Sequence, residues 1–152
     1  MSFTSCLLVM LGGAIGTLAR YVISVLASPL SRDLPWGTIG INVVGSFVIG
    51  LFGTLTIAQS RYPASENLRL FVMVGLCGGF TTFSAFSLQT LELLRSGGFA
   101  RATVNVVASV VLCVAAAALG HLLAVRLNDG QKPGAQPAAD VEAVRGRETR
   151  SS

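Results

Sequence analysis

Four stretches of this 152-residue chain contain no Asp, Glu, Lys or Arg and are long enough to span a bilayer: residues 1–19, 34–60, 70–91 and 102–125. They run for 19, 27, 22 and 24 residues. A helix needs about 20 predominantly apolar residues to cross the hydrocarbon core of a bilayer. The chain therefore reads as an all-α membrane protein with four transmembrane helices and almost no soluble mass. Composition agrees. Hydrophobic residues make up 52% before the 17 glycines are added, and charged residues only 12%, about half the usual share. That balance argues against a soluble globular enzyme and against disorder over most of the chain. The first stretch is not a cleavable signal, because it lacks a basic leading region and its apolar pattern continues to about Ala27.

The boundaries follow from the polar punctuation. Helices are expected over about 5–27, 37–58, 68–94 and 100–125, which makes residues 1–125 one membrane domain. After Arg126 the sequence turns polar, with Asn128-Asp129-Gly130, Pro133, Gly134 and Pro137. Such a segment buries too little apolar surface to offset its ordering entropy. Residues 126–152 are expected to be a disordered tail. No basic cluster of the kind that binds nucleic acid occurs. Cys6, Cys77 and Cys113 lie within apolar runs, and three cysteines imply no disulfide framework.

Orientation is nearly unbiased. Four spans put both termini on one side, with Arg61, Arg69, Arg126 and Lys132. The other side holds Arg32, Arg95 and Arg101, joined by Arg20 if that side chain snorkels outward. Topology is fixed by an asymmetry of Lys and Arg, and here there is almost none. The expectation is insertion in both orientations and pairing as an antiparallel dual-topology dimer.

Small residues four apart (Gly12 and Gly16, Ser46 and Gly50, Gly75 and Gly79) favour close helix packing. The most specific segment is GLCGGFTTFSAFS, residues 75–87. Glycine weakens a helix, and adjacent threonines compete for backbone hydrogen bonds. The third helix is thus expected to be broken near its middle. A break at membrane depth is tolerated only where the freed carbonyls face protein, water or an ion, and broken helices build ion sites in transporters. A kink packed against a neighbour is the plainer alternative. Phe83 and Phe86 share a helix face just beyond the break, beside Thr82, Ser84 and Ser87. Phenylalanine rings carry positive edges, so two rings turned edge-on could stabilise a small dehydrated anion. Lipid-facing packing is the alternative for them.

Asn105, Ser109 and Cys113 recur every four residues along the fourth helix, in a stripe about 12 Å long. It suits either a single-file ion track or interhelical hydrogen bonding. Asn42 lies in the second helix between Thr38 and Ser46, where its amide can donate to an anion or cap the broken helix. Arg20 sits in the first apolar run, either snorkelling or raising anion concentration at a vestibule. No acidic residue falls mid-membrane, as a proton-coupled cation exporter would require. The chain also has no nucleophile–base pair, phosphate loop or dinucleotide fingerprint.

GGAIGTLARY (12–21), PWGTIGINVVGSFVIG (35–50) and GLCGGFTTFSAFS (75–87) together resemble the small fluoride channels of the CrcB/Fluc family. The resemblance spans about residues 5–125. It implies an antiparallel dimer of four-helix subunits in a prokaryotic inner membrane, with two narrow fluoride pores and passive export that lowers toxic fluoride in the cytoplasm. It implies a structural sodium ion held by the Gly78 and Thr81 carbonyls. Phe83 and Phe86 would be the aromatic rings along the pathway, and Asn42 its amide. Asn105, Ser109 and Cys113 match the family's polar track by position, although family members often carry tyrosine and serine at the outer two places. Arg20 matches the arginine that closes the first motif. Two rivals remain from the residues alone: a small four-helix multidrug exporter, and a membrane subunit that transports nothing.

Overall fold

A computed structural model describes residues 2–57 and 60–129 of the chain. Four helical spans are long and apolar enough to cross a membrane: Phe3–Leu26, Trp36–Leu55, Glu66–Arg95 and Phe99–Asp129. The first and second are the continuous helices α1 and α2, joined by a short 3-10 turn at Ser28–Leu30. The third is composite. It starts as α3 (Glu66–Arg69), passes through a π-helical segment (Leu70–Cys77), and ends its first half as α4 (Gly78–Phe80). After an interruption it resumes as α5 (Phe83–Arg95). The fourth span is α6 (Phe99–Asp129).

The expected spans are all present, with ends displaced by a few residues. The largest displacement is in α6, which continues through residues 126–129, where the tail was expected to begin. At 31 residues it is about 46 Å long, well over the ~30 Å hydrocarbon core. Its last turn is tied back to the end of α2 and to the loop that follows it. Asn128 Nδ2 donates to the Thr54 carbonyl at 3.4 Å, and the Arg61 N–H donates to Asn128 Oδ1 at 3.2 Å. Residues 130–152, and with them the rest of the tail expectation, lie outside the described residues, as do 58 and 59.

Packing divides the bundle into two close pairs. α2 lies along α6, and α1 lies along the π segment and α4. Lipid tails are as apolar as leucine, so spans associate through close contact of small residues rather than through a hydrophobic drive. The buried positions bear this out, being mostly small or polar: Cys77, Ala102, Ala116, Ala124, Thr38 and Ser109 among them. Ile41 and Asn105 are the largest fully buried side chains among the described residues, while Leu, Val and Phe face outward in number. Both pairs approach backbone to backbone, as the α1 contact shows. A Cβ on Gly12 would stand 2.5 Å from the Phe71 carbonyl oxygen, and one on Gly16 would collide with the Leu76 carbonyl.

The third span is tied down from both sides. Arg69 closes the end of α2, donating from Nη1 to the Gly53 carbonyl at 3.1 Å and to Thr56 Oγ1 at 2.7 Å. A cation at a helix C-terminus also meets the negative end of its dipole. Ser65 caps the start of α3, accepting the Leu68 N–H. Thr82 does the same for α5 by accepting the Ala85 N–H at 3.1 Å.

Candidate functional site

The break falls at Thr81 and Thr82, both extended, with φ/ψ of −77/157° and −152/111°. Gly78 and Gly79 remain helical in α4, so the glycine pair does not itself make the break. Gly79 serves packing, because a Cβ there would lie 2.5 Å from the Gly13 carbonyl oxygen. The threonines break the helix by redirecting hydrogen bonds. The Thr82 N–H, which would continue the ladder to the Gly78 carbonyl, donates instead to Asn42 Oδ1 at 2.8 Å. The Ala85 N–H, which would serve the Thr81 carbonyl, goes to Thr82 Oγ1. The carbonyls of Gly78 and Thr81 thereby lose their α-helical donors. Two freed backbone oxygens at membrane depth are hard ligands of the kind a small cation takes.

Asn42 completes the arrangement. Its Nδ2 donates to the Thr82 carbonyl at 3.1 Å while its Oδ1 accepts the Thr82 N–H. One amide thus satisfies both backbone groups of the residue at the break and keeps one amide hydrogen to spare. Arg20 reaches the same place from α1. Its Nε donates to the Gly79 carbonyl at 3.0 Å, so the side chain points inward.

A groove of about 340 Å³ opens beside the break. Of the sequence-predicted residues it gathers Asn42, Thr81, Thr82, Phe83, Phe86, Ser109 and Cys113. Ser46 and apolar Ile49, Val110 and Ala117 complete its lining. No charged side chain lines it. The Phe83 and Phe86 rings have centroids 5.4 Å apart and planes inclined at 47°. Phe83 is 79% exposed in the single chain, which leaves the groove open on that side. The N-terminus of α5 begins at the groove, so the positive end of its dipole lies there.

Besides Arg20 and Gly78, three residues predicted to line the pathway stand outside the groove. Thr38 is buried one turn before Asn42. Ser84 is exposed, with its Oγ 3.2 Å from Thr82 Oγ1. Asn105 is fully buried, and its Nδ2 donates to Thr90 Oγ1 at 2.8 Å. Among groove residues that the sequence reading did not name as pathway residues, Ser46 carried a usable signal: it stands four residues after Asn42 on one helix face, a spacing noted for Asn42 but not extended to Ser46 itself. Thr90 carried none. A second groove, of about 520 Å³ and polar, lies where α5 and α6 approach the loop after α1. Gln89, Glu92 and Ser96 contribute to it, with Arg101 3.7 Å from Asp33.

Comparison with known proteins gives consistent matches. The family described as CrcB-like protein, Camphor Resistance (CrcB), matches residues 7–121. A protein named fluoride-specific ion channel FluC from Methylobacterium radiotolerans is 73% identical over 130 residues, covering 86% of this chain and 91% of the relative. A FluC of Gluconobacter oxydans is 64% identical over 144 residues, covering 94% of this chain and all of the relative. One from Methylocella silvestris is 54% identical over 121 residues, covering 79% of this chain and 92% of its own length.

Proposed function

The chain belongs to the CrcB-like family, whose relatives are ion channels and not enzymes, and on that premise we propose that it is a fluoride-selective channel. It would let accumulated fluoride leave a prokaryotic cytoplasm passively across the inner membrane. The observation that carries this is the uncharged groove beside the broken third span, which combines hydrogen-bond donors with tilted phenylalanine rings.

Fluoride is small and strongly hydrated, so a selective pathway must replace its water shell at close quarters. The spare Asn42 amide hydrogen and the hydroxyls of Ser46 and Ser109 supply donors. The edges of Phe83 and Phe86 supply partial positive charge without a proton to exchange. No lysine or arginine lines the groove, so no full charge traps the ion. Conduction needs binding weak enough to release.

The groove's open side supports an oligomeric reading. A second copy laid over the exposed Phe83 would close the pathway, and the near-equal distribution of Arg and Lys supports an antiparallel partner in the bilayer. Such a dimer would hold two pores related by symmetry. A sodium ion would fit between the copies, held by the Gly78 and Thr81 carbonyls that the break frees. Its contribution would be to neutralise crowded carbonyl dipoles, with no part in transport.

The deciding experiment is ion efflux from liposomes carrying the purified protein, read with a fluoride electrode. Fluoride efflux is expected to exceed chloride efflux strongly. Efflux of fluoride no faster than chloride refutes the assignment. Phe83→Ile and Phe86→Ile are each expected to cut fluoride flux about tenfold, the loss of one electrostatic contact in the pathway, while the protein still elutes as a dimer. Unchanged flux in both would remove the aromatic role. The antiparallel arrangement has a separate test. Cys6 is exposed near the start of α1, and a membrane-impermeant maleimide is expected to label it from both faces of the cell membrane. Labelling from one face alone overturns dual topology.

A further inference from the structure

Between the two grooves lies a plug with an unbalanced hydrogen-bond inventory. Asn105 Nδ2 donates to Thr90 Oγ1 at 2.8 Å, and Thr90 Oγ1 donates to the Phe86 carbonyl at 2.8 Å. That carbonyl lies inside α5, where the helix ladder already provides a donor. Asn105 Oδ1 and Ser109 Oγ, by contrast, are buried without any partner. Asn105 is 0% exposed and Ser109 6%. A buried acceptor without a donor costs about 1–3 kcal/mol, and native structures seldom leave one without a reason. The position is equally pointed. Along α6, Arg101 lines the polar groove and Ser109 lines the groove at the break. Asn105 lies midway, one helical turn from each.

Resting on the fluoride-channel reading, we infer that Asn105 and Thr90 form a reversible hydrogen-bond switch at the constriction between the two grooves. In the arrangement described above, the amide gives its donor to Thr90 and leaves its acceptor Oδ1 unpaired, which opposes an anion. A half-turn of the amide about its terminal torsion reverses this. Thr90 Oγ1–H then leaves the Phe86 carbonyl and donates to Asn105 Oδ1. The Nδ2 hydrogens turn toward the space beside Ser109, whose hydroxyl supplies a further donor to the same ion. The bond between Asn105 and Thr90 is kept in both states, because Thr90 can give as well as receive and the Phe86 carbonyl retains its ladder bond. The anion's preference for the reversed state shifts the equilibrium as it arrives. Thr90 is a positioning residue in this scheme. Asn105 and Ser109 touch the ion.

The test compares fluoride efflux from liposomes for Asn105→Leu, Thr90→Val, Thr90→Ser and the Asn105→Leu/Thr90→Val double variant, each checked for dimer elution. Leucine and valine keep approximate shape and remove the hydrogen-bonding groups. Both single variants are expected to lose about tenfold in fluoride flux, the scale of one hydrogen bond. Thr90→Ser keeps the hydroxyl and is expected to stay within about twofold of the unsubstituted channel. The double variant is expected to be no worse than Asn105→Leu alone, since the two residues act as one unit. Thr90→Ala takes the place of Thr90→Val if the valine form is not recovered. Wild-type-like flux in the valine or alanine variant overturns the switch, as do additive losses or failure of serine to rescue. A wild-type channel that passes no fluoride would instead overturn the functional reading itself, so the two failures are distinct.

Discussion

Replacing Asn42 with leucine is expected to lower fluoride flux by about a hundredfold, because two hydrogen bonds at the break are lost at once. Leucine is close to asparagine in size, so the packing of α2 survives. The Thr82 N–H and carbonyl, now paired with Asn42 at 2.8 and 3.1 Å, are left without partners at membrane depth. Each backbone group left unsatisfied inside the membrane costs several kcal/mol. The segment has one escape, which is to rejoin α4 and α5 into a continuous helix. That would return the Thr82 N–H to the Gly78 carbonyl, withdraw a ligand from the proposed sodium site and rotate Phe83 and Phe86 away from the groove. Efflux measured beside the thermal midpoint in detergent separates the outcomes. Lost flux with a retained midpoint indicates straightening, and lost flux with a lowered midpoint indicates an unsatisfied break. Wild-type flux would show that Asn42 does not hold the pathway open.

Valine at Gly16 is expected to prevent recovery of folded protein. The groups that a Cβ would meet are the Leu76 carbonyl and, at 2.9 Å, the Phe80 nitrogen. Both belong to backbone, which cannot step aside as a flexible side chain can. Pushing α1 outward would break its contact with the π segment and pull the Arg20 guanidinium off the Gly79 carbonyl. Overpacking in a well-packed core typically costs about 1–3 kcal/mol, and a backbone collision of this kind lies at or beyond the top of that range. The neighbouring Gly13→Ala is the matched control, because an added Cβ there meets nothing within 4 Å. Size-exclusion elution after membrane extraction reads both. A monodisperse valine variant would show that α1 and the third span can separate without loss of the fold.

How much of this was legible in the sequence depended on whether the signal lay in side chains or in backbone. The four spans were legible because charge is excluded from hydrocarbon, and the gaps between charges marked them within a few residues. The break was legible because two adjacent threonines interrupt an apolar run. Its mechanism was less so. Gly78 and Gly79 suggested a weak helix, yet they stay helical and Gly79 makes room for α1. The π segment left no trace, since every residue of LFVMVGLC is apolar or glycine. A period of 3.6 cannot be told from a wider one without polar positions to mark it. Asn42 was found with both its possible roles, and the structure fills the capping role while leaving one hydrogen free. The inward turn of Arg20 was left open by the sequence, because its acceptor is a main-chain carbonyl 59 positions away. Thr90 was missed for a related reason, since one threonine among the polar residues of α5 announces no partner until another span is laid against it.

The bond between Asn42 and Thr82 also bears on how the chain can be assembled. Synthesis proceeds from the N-terminus, so α2 enters the bilayer before the third span does. An opened stretch of main chain would normally be barred from hydrocarbon. Here its companion is already waiting when it arrives, and the fourth span is not needed for this step. The protein can therefore build this polar break in the bilayer midway through biogenesis, before its last span is made.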